Sequence, residues 1–195
     1  MRVGALCWIL GLGIAACTAP VGQLDGHPFL DGDCSEYPDL GADRLALADG
    51  VQMLAAQDSE AVYLCLPLTE GSFGMMEIEI DTPELVSPLN LHISAQLGEW
   101  PLGAPAPDSP TSEVWWNTQG WFANTAAFNG MTEYDGVPGP RFKTAKGREV
   151  VLSKSRFGTG PWDLRFRVSG LVVDGQNTSL TYPADDEAPY VLTSD

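Results

Sequence analysis

The chain has 195 residues, with 26 Asp and Glu against 10 Lys and Arg and a formal net charge of −16. With 44% hydrophobic residues it is too apolar for a disordered chain, and 21 Gly with 15 Pro are too many for a helical bundle. The chain mostly lacks the Lys and Arg footprint that phosphate binding needs, so nucleic acid is not an expected partner.

At the N-terminus Arg2 precedes an uncharged apolar run over residues 3–14. That run is too short to cross a bilayer core of about 30 Å, which takes roughly 20 helical residues. It has the length of a signal-peptide core. Ile14-Ala15-Ala16-Cys17 follows it directly. This quartet resembles the lipobox of bacterial lipoproteins: aliphatic, small, small, then the cysteine that receives lipid. The resemblance implies cleavage of residues 1–16, a diacylglyceryl thioether on Cys17 and acylation of the new amine. Two or more acyl chains suffice for stable attachment to a membrane. In the same family Thr18, rather than Asp, implies sorting to the outer membrane.

The remaining cysteines fit export. Cys7 leaves with the signal and Cys17 takes the lipid, so Cys34 and Cys65 remain as a pair. In an oxidising envelope that remainder reads as one disulfide. With only His27 and His92 and no second Cys pair, no zinc site is expected. The acidic loops Asp31-Gly32-Asp33 and Asp185-Asp186-Glu187 lack the ligand spacing of a calcium loop. No motif calls for a cofactor.

Residues 17–33 read as the lipidated cysteine and a polar, turn-rich tether. Residues 34–195 read as one all-β domain, an antiparallel β-sandwich or jelly roll. Residues 42–57 fit either a helix or two short strands, and Gly50 weakens the helix. Period-2 alternation then dominates. Val62, Leu64, Leu66 and Leu68 share one side of a strand, as do Ile78 and Ile80 opposite Glu77, Glu79 and Asp81. Leu89, Leu91 and Ile93 alternate with Asn90 and His92, and Trp162, Leu164, Phe166 and Val168 alternate with Asp163, Arg165 and Arg167.

Two Pro-rich stretches, residues 104–110 and 136–140, bracket an aromatic insert at about 113–134. Its centre is Trp115-Trp116-Asn117-Thr118-Gln119-Gly120-Trp121-Phe122. Aromatic faces stack on the apolar C–H face of a pyranose, and Asn117 and Gln119 suit its hydroxyls. Trp115, Trp116, Asn117, Gln119 and Trp121 are therefore the candidate ligand-binding residues. The alternative is that these rings are packing, since Trp is highly buried on average. Trp115 and Trp116 are adjacent, so in a strand at most one enters the core.

Charge is uneven along the chain. Residues 25–135 hold nineteen acids and the single base Arg44, whereas eight of the nine bases after residue 17 lie between Arg141 and Arg167. A basic patch for anionic headgroups is one reading. The favoured one pairs basic strands with acidic ones, Arg165 and Arg167 crossing from Glu77 and Glu79.

No catalytic constellation stands out. Glu77 and Glu79 are about 7 Å apart on one strand face, a poor arrangement for reaching opposite sides of a sugar ring. No Gly-x-Ser-x-Gly elbow is present. The expected protein is a lipid-anchored, non-catalytic envelope module. Its partners are the membrane, through Cys17, and peptidoglycan, another envelope glycan or a protein. The alternatives are an envelope-glycan hydrolase using Glu77 and Glu79, and a purely structural or assembly lipoprotein.

Overall fold

The fold was read from a computed structural model that describes residues 19–20, 22–23, 26–108 and 115–195. Residues 1–18, with the lipobox, Cys17 and Thr18, lie outside the described residues, as do Glu113 and Val114 of the aromatic insert. The first strands are two short ones, β1 (Ala19–Pro20) and β2 (Gly22–Gln23), followed by a 3-10 turn at Cys34–Glu36. β3 (Asp43–Ala48) and β4 (Val51–Gln57) form a hairpin, then come β5 (Ala61–Pro67), β6 (Met75–Asp81), β7 (Leu89–Ile93) and β8 (Leu97–Pro101). β9 (Trp121–Ala123), β10 (Ala127–Tyr134), β11 (Val137–Lys143) and β12 (Gly147–Ser153) lead into a single helical turn, α1 (Lys154–Phe157). The chain closes with β13 (Gly160–Val173), β14 (Gln176–Tyr182) and β15 (Tyr190–Ser194). Among the described residues no helix is long and apolar enough to cross a membrane.

The ambiguous segment at 42–57 is two strands. Asp49-Gly50 turns the chain, and Gly50 sits at φ +72°, a left-handed conformation that ends any helix and suits a tight hairpin.

The strands assemble into a sandwich. One sheet runs β1-β15-β13-β6-β7-β8, with β14 also on β13; the other runs β2-β4-β5-β12-β9, with β3 also on β4. β13 is 14 residues long, so it has room for β15 along its first half and β14 along its second. Within the β14 pairing a register break between Val168 and Leu171 contains Gly170 at φ +66°. β10 and β11 pair only with each other among the described residues.

The core lies between the sheets and follows the alternation read in the sequence. Trp162, Leu164 and Phe166 of β13 and Met76, Ile78 and Ile80 of β6 meet Val62, Leu64 and Leu66 of β5 and Val150 and Leu152 of β12. Strand β5 departs from alternation because both of its faces are buried. A second cluster, with Tyr37, Leu54, Ala56, Tyr63 and Cys65, covers its outer side. The disulfide Cys34–Cys65, with Cα atoms 5.8 Å apart, fastens the covering segment to the strand.

Of the segment read as a tether, residues 26–33 make contacts with the domain. His27 Nδ1 lies 2.7 Å from Asp58 Oδ2, and Lys146 reaches Asp33 at 2.7 Å. Gly32 donates its N–H to the buried Glu149 carboxylate at 2.5 Å and accepts from Gly147 N at 2.8 Å. The Gly32 N–H gives the buried Glu149 carboxylate a hydrogen-bond partner.

Candidate functional site: an aromatic platform at a sheet edge

β7 and β8 set the site. Their register places Asn90 opposite Trp100 and His92 opposite Gly98. Because side chains alternate, Leu91, Ile93 and Leu97 go to the core while Asn90, His92 and Trp100 share the outer face. Gly98 leaves a gap in that face, and Trp115 fills it. Trp115 bridges to Gly98, and a Cβ on Gly98 would come within 2.9 Å of Trp115 Cε3. Only glycine permits this approach.

Three rings then meet. His92 and Trp100 are stacked at 5.9 Å with 30° between planes, and Trp115 stands edge-on to His92 at 5.1 Å and to Trp100 at 5.9 Å. Such offset and edge-to-face pairs are mutually stabilising. Beside them Trp116 is 56% exposed and adopts φ +67°. That conformation costs a Cβ-bearing residue roughly 1–2 kcal/mol. Trp116 N donates to Leu97 O at 2.7 Å, which holds the strained turn against β8.

Polar groups fix the platform from below. Glu77 Oε1 lies 2.5 Å from His92 Nδ1, and Glu77 Oε2 accepts from Asn90 Nδ2 at 2.5 Å. His92 Nε2 is 2.8 Å from Ser94 Oγ. A carboxylate, an imidazole and a serine in line have the connectivity of a nucleophilic relay. Here, however, Ser94 Oγ accepts from Gln96 N at 3.2 Å and donates to Gln96 O at 3.3 Å, so the hydroxyl serves the β7–β8 turn. The chain orients the imidazole.

The sequence-derived candidates separate. Trp115 is half-buried in the platform, while Trp116, Asn117 and Gln119 are exposed beside it. Trp121 is corrected: it is 5% exposed and belongs to the core. It faces inward because β9 alternates it with the exposed Phe122, and its Nε1 donates to Glu99 Oε2 at 2.6 Å. His92 and Trp100 were missed as site residues. The available signal was their shared polar-side parity on neighbouring strands, but which strands pair is not written in either segment alone.

The paired acids Glu77 and Glu79 have other work. Arg165 faces Glu79 and Arg167 faces Glu77 in register. Glu79 takes Arg167 at 2.9 Å and Arg165 at 3.6 Å, so the pairing of basic with acidic strands holds. Arg167 also meets Asp185 at 2.7 Å, and this hydrogen bond holds the Asp185 carboxyl below the usual carboxylate range. Among the described residues no three His, Cys, Asp or Glu side chains converge as metal ligands.

No family model and no curated protein matches the chain. Among solved structures it is similar to a family 9 carbohydrate-binding module from Caldicellulosiruptor kristjanssonii in complex with cellotriose, at 10% identity and a TM-score of 0.47, covering 90% of this chain and 93% of that one. The same module in complex with glucose gives 10% identity, a TM-score of 0.44, and coverage of 90% and 94%. The chain's own strand pairing makes it a predominantly antiparallel β-sandwich.

Proposed function

We propose that the protein is a lipid-anchored envelope module that binds glycan, without catalysis, on the platform of His92, Trp100, Trp115 and Trp116. The carrying observation is the exposed Trp116, held in a costly left-handed turn beside three packed rings on an otherwise polar sheet face. Strain of that kind persists where function repays it. Ring faces supply stacking for the C–H face of a sugar, and Asn117 and Gln119 supply amides for its hydroxyls. The Ile14-Ala15-Ala16-Cys17 quartet supports an anchor at Cys17, with Thr18 favouring the outer membrane, and this makes peptidoglycan or another envelope glycan the ligand within reach.

The test is a titration of the protein with peptidoglycan fragments and neutral oligosaccharides, followed by tryptophan fluorescence and calorimetry. Saturable binding that Trp115→Ala and Trp116→Ala each weaken at least tenfold, with unchanged circular dichroism, is expected. Absence of binding in the parent protein, or equal binding by both variants, overturns the reading. For the anchor, Cys17→Ala should move the protein out of the membrane fraction; retention after an alkaline wash overturns that part.

A further inference from the structure

A groove of about 250 Å³ opens on the same outer face, beyond Glu77 and away from the sheet edge. Met75 and Glu77 of β6, Arg167 and Ser169 of β13, and Ser179 and Thr181 of β14 line it. Strand register connects it to the platform. Thr181 faces Arg167, Arg167 faces Glu77, Glu77 faces His92, and His92 faces Gly98, over which Trp115 lies. These residues form one row at right angles to the strands, from β8 to β14. At about 4.8 Å per strand the row is roughly 19 Å long, enough for roughly three or four pyranose units. The groove alone is smaller than a pocket for a drug-sized ligand and suits a single unit.

The fixed charges along the row are already matched. Arg167 donates from Nε to Glu79 at 2.9 Å and pairs with Asp185 at 2.7 Å, and its Nη1 reaches Thr181 Oγ1 at 3.4 Å. Glu77 is satisfied by Asn90 and His92. What the row offers a newcomer is therefore hydroxyls from Ser169, Ser179 and Thr181, the spare lone pairs of Glu77 and, over most of the lining, apolar surface, that of Met75 and Leu180 included, which suits the C–H face of a sugar. That is an inventory for an uncharged, many-hydroxyl ligand. An anionic ligand would have to displace Glu79 or Asp185 from Arg167 to gain a counter-charge.

We propose that the groove is a second subsite of the glycan-binding surface: a neutral glycan chain lies across the strands, one unit stacked on the platform and another seated between β6, β13 and β14. This rests on the platform reading. The experiment is calorimetry of the protein with β-1,4-linked N-acetylglucosamine oligosaccharides of increasing length, and with oligogalacturonates of matched length. Affinity should rise roughly tenfold from disaccharide to tetrasaccharide, a step of about 1.4 kcal/mol. The oligogalacturonates should bind more weakly at equal length. In Ser179→Leu, which places bulk at an exposed position of the groove, the affinities for short and long chains should converge. Affinity independent of length in the parent protein, persistence of the length dependence in Ser179→Leu, or tighter binding of the anionic series each overturns the second subsite alone. Failure of every oligosaccharide to bind overturns the platform reading and the groove with it.

Discussion

Glu99 receives both terminal nitrogens of Arg156 at 2.8 Å and so ties the edge strand β8 to helix α1. The same carboxylate accepts from Trp121 Nε1 at 2.6 Å and from Gln119 N at 3.3 Å. It thereby closes one side of the sandwich where β8 and β9 are both edge strands. Its side chain is 11% exposed and that of Arg156 21%, so removal of the carboxylate strands a half-buried guanidinium and an indole N–H. Glu99→Ala should lower unfolding stability by about 2–3 kcal/mol, the cost of losing charged hydrogen bonds and leaving their partners unpaired. Urea denaturation reads this directly. A midpoint within error of the parent protein would show that the contact contributes nothing.

A second prediction concerns pH. Glu149 is fully buried, and its pKa is pushed up to about 7 from the ordinary 4.5. Burial is the chief cause, reinforced by the negative charges of Asp31 and Glu36 and only partly offset by the Gly32 N–H. A carboxyl whose pKa is raised on folding binds its proton more tightly in the folded state. Its contribution is therefore full below about pH 4.5 and is lost as pH rises through about 7. The span is of order 3 kcal/mol. Glu149→Gln keeps an acceptor for Gly32 N without the charge. The variant should be more stable than the parent at pH 8 and close to it at pH 5. Denaturation curves that stay parallel from pH 5 to pH 8 would refute this.

Much of the sandwich is legible in the sequence because one face of most strands is buried and the other solvated. Ile78 and Ile80 alternate with Glu77 and Glu79, and the structure sends the first pair to the core, Glu79 to Arg165 and Arg167, and Glu77 to Asn90 and His92. Cysteine arithmetic likewise anticipates Cys34–Cys65. Alternation fails where a second layer intervenes: β5 reads as half-buried but is covered on its outer side by the segment carrying Tyr37. It fails again at Trp115-Trp116, where the left-handed turn at Trp116 breaks the strand parity that would have sent one ring inward. Trp121 takes the core position instead. The platform itself depends on which strand lies beside which. His92 and Trp100 come together through the β7–β8 register, and Trp115 reaches them from beyond the Pro-rich stretch. Local pattern carries no information about that closure.

The disulfide offers a third test. It closes a separation of 31 residues between the covering segment and β5, and the chain-entropy estimate for such a loop is roughly 3–4 kcal/mol. Reduction, or Cys34→Ala with Cys65→Ala, should lower the unfolding free energy by that amount. The parent protein should show neither thiol free to alkylation under denaturing, non-reducing conditions. Gly147 gives an independent check, because a Cβ there would collide with Cys34 Sγ and press on Cys65 Sγ at 3.2 Å. Gly147→Ala should therefore destabilise the oxidised protein more than the reduced one. Equal effects in the two redox states would mean that Gly147 is not constrained by the disulfide.

The last prediction separates stability from binding at one residue. Trp116 is 56% exposed yet sits at φ +67°, so its side chain repays little of its backbone cost through packing. Trp116→Gly relieves that cost, since glycine adopts positive φ freely. The gain should be at most about 1 kcal/mol, because glycine also loses more backbone entropy on folding. If the ring is there to meet a ligand, the more stable variant should bind oligosaccharide at least tenfold more weakly. A retained fold with lowered affinity is the signature of strain kept for function. A variant that loses stability along with binding would instead make Trp116 a packing residue and return the platform to a structural role.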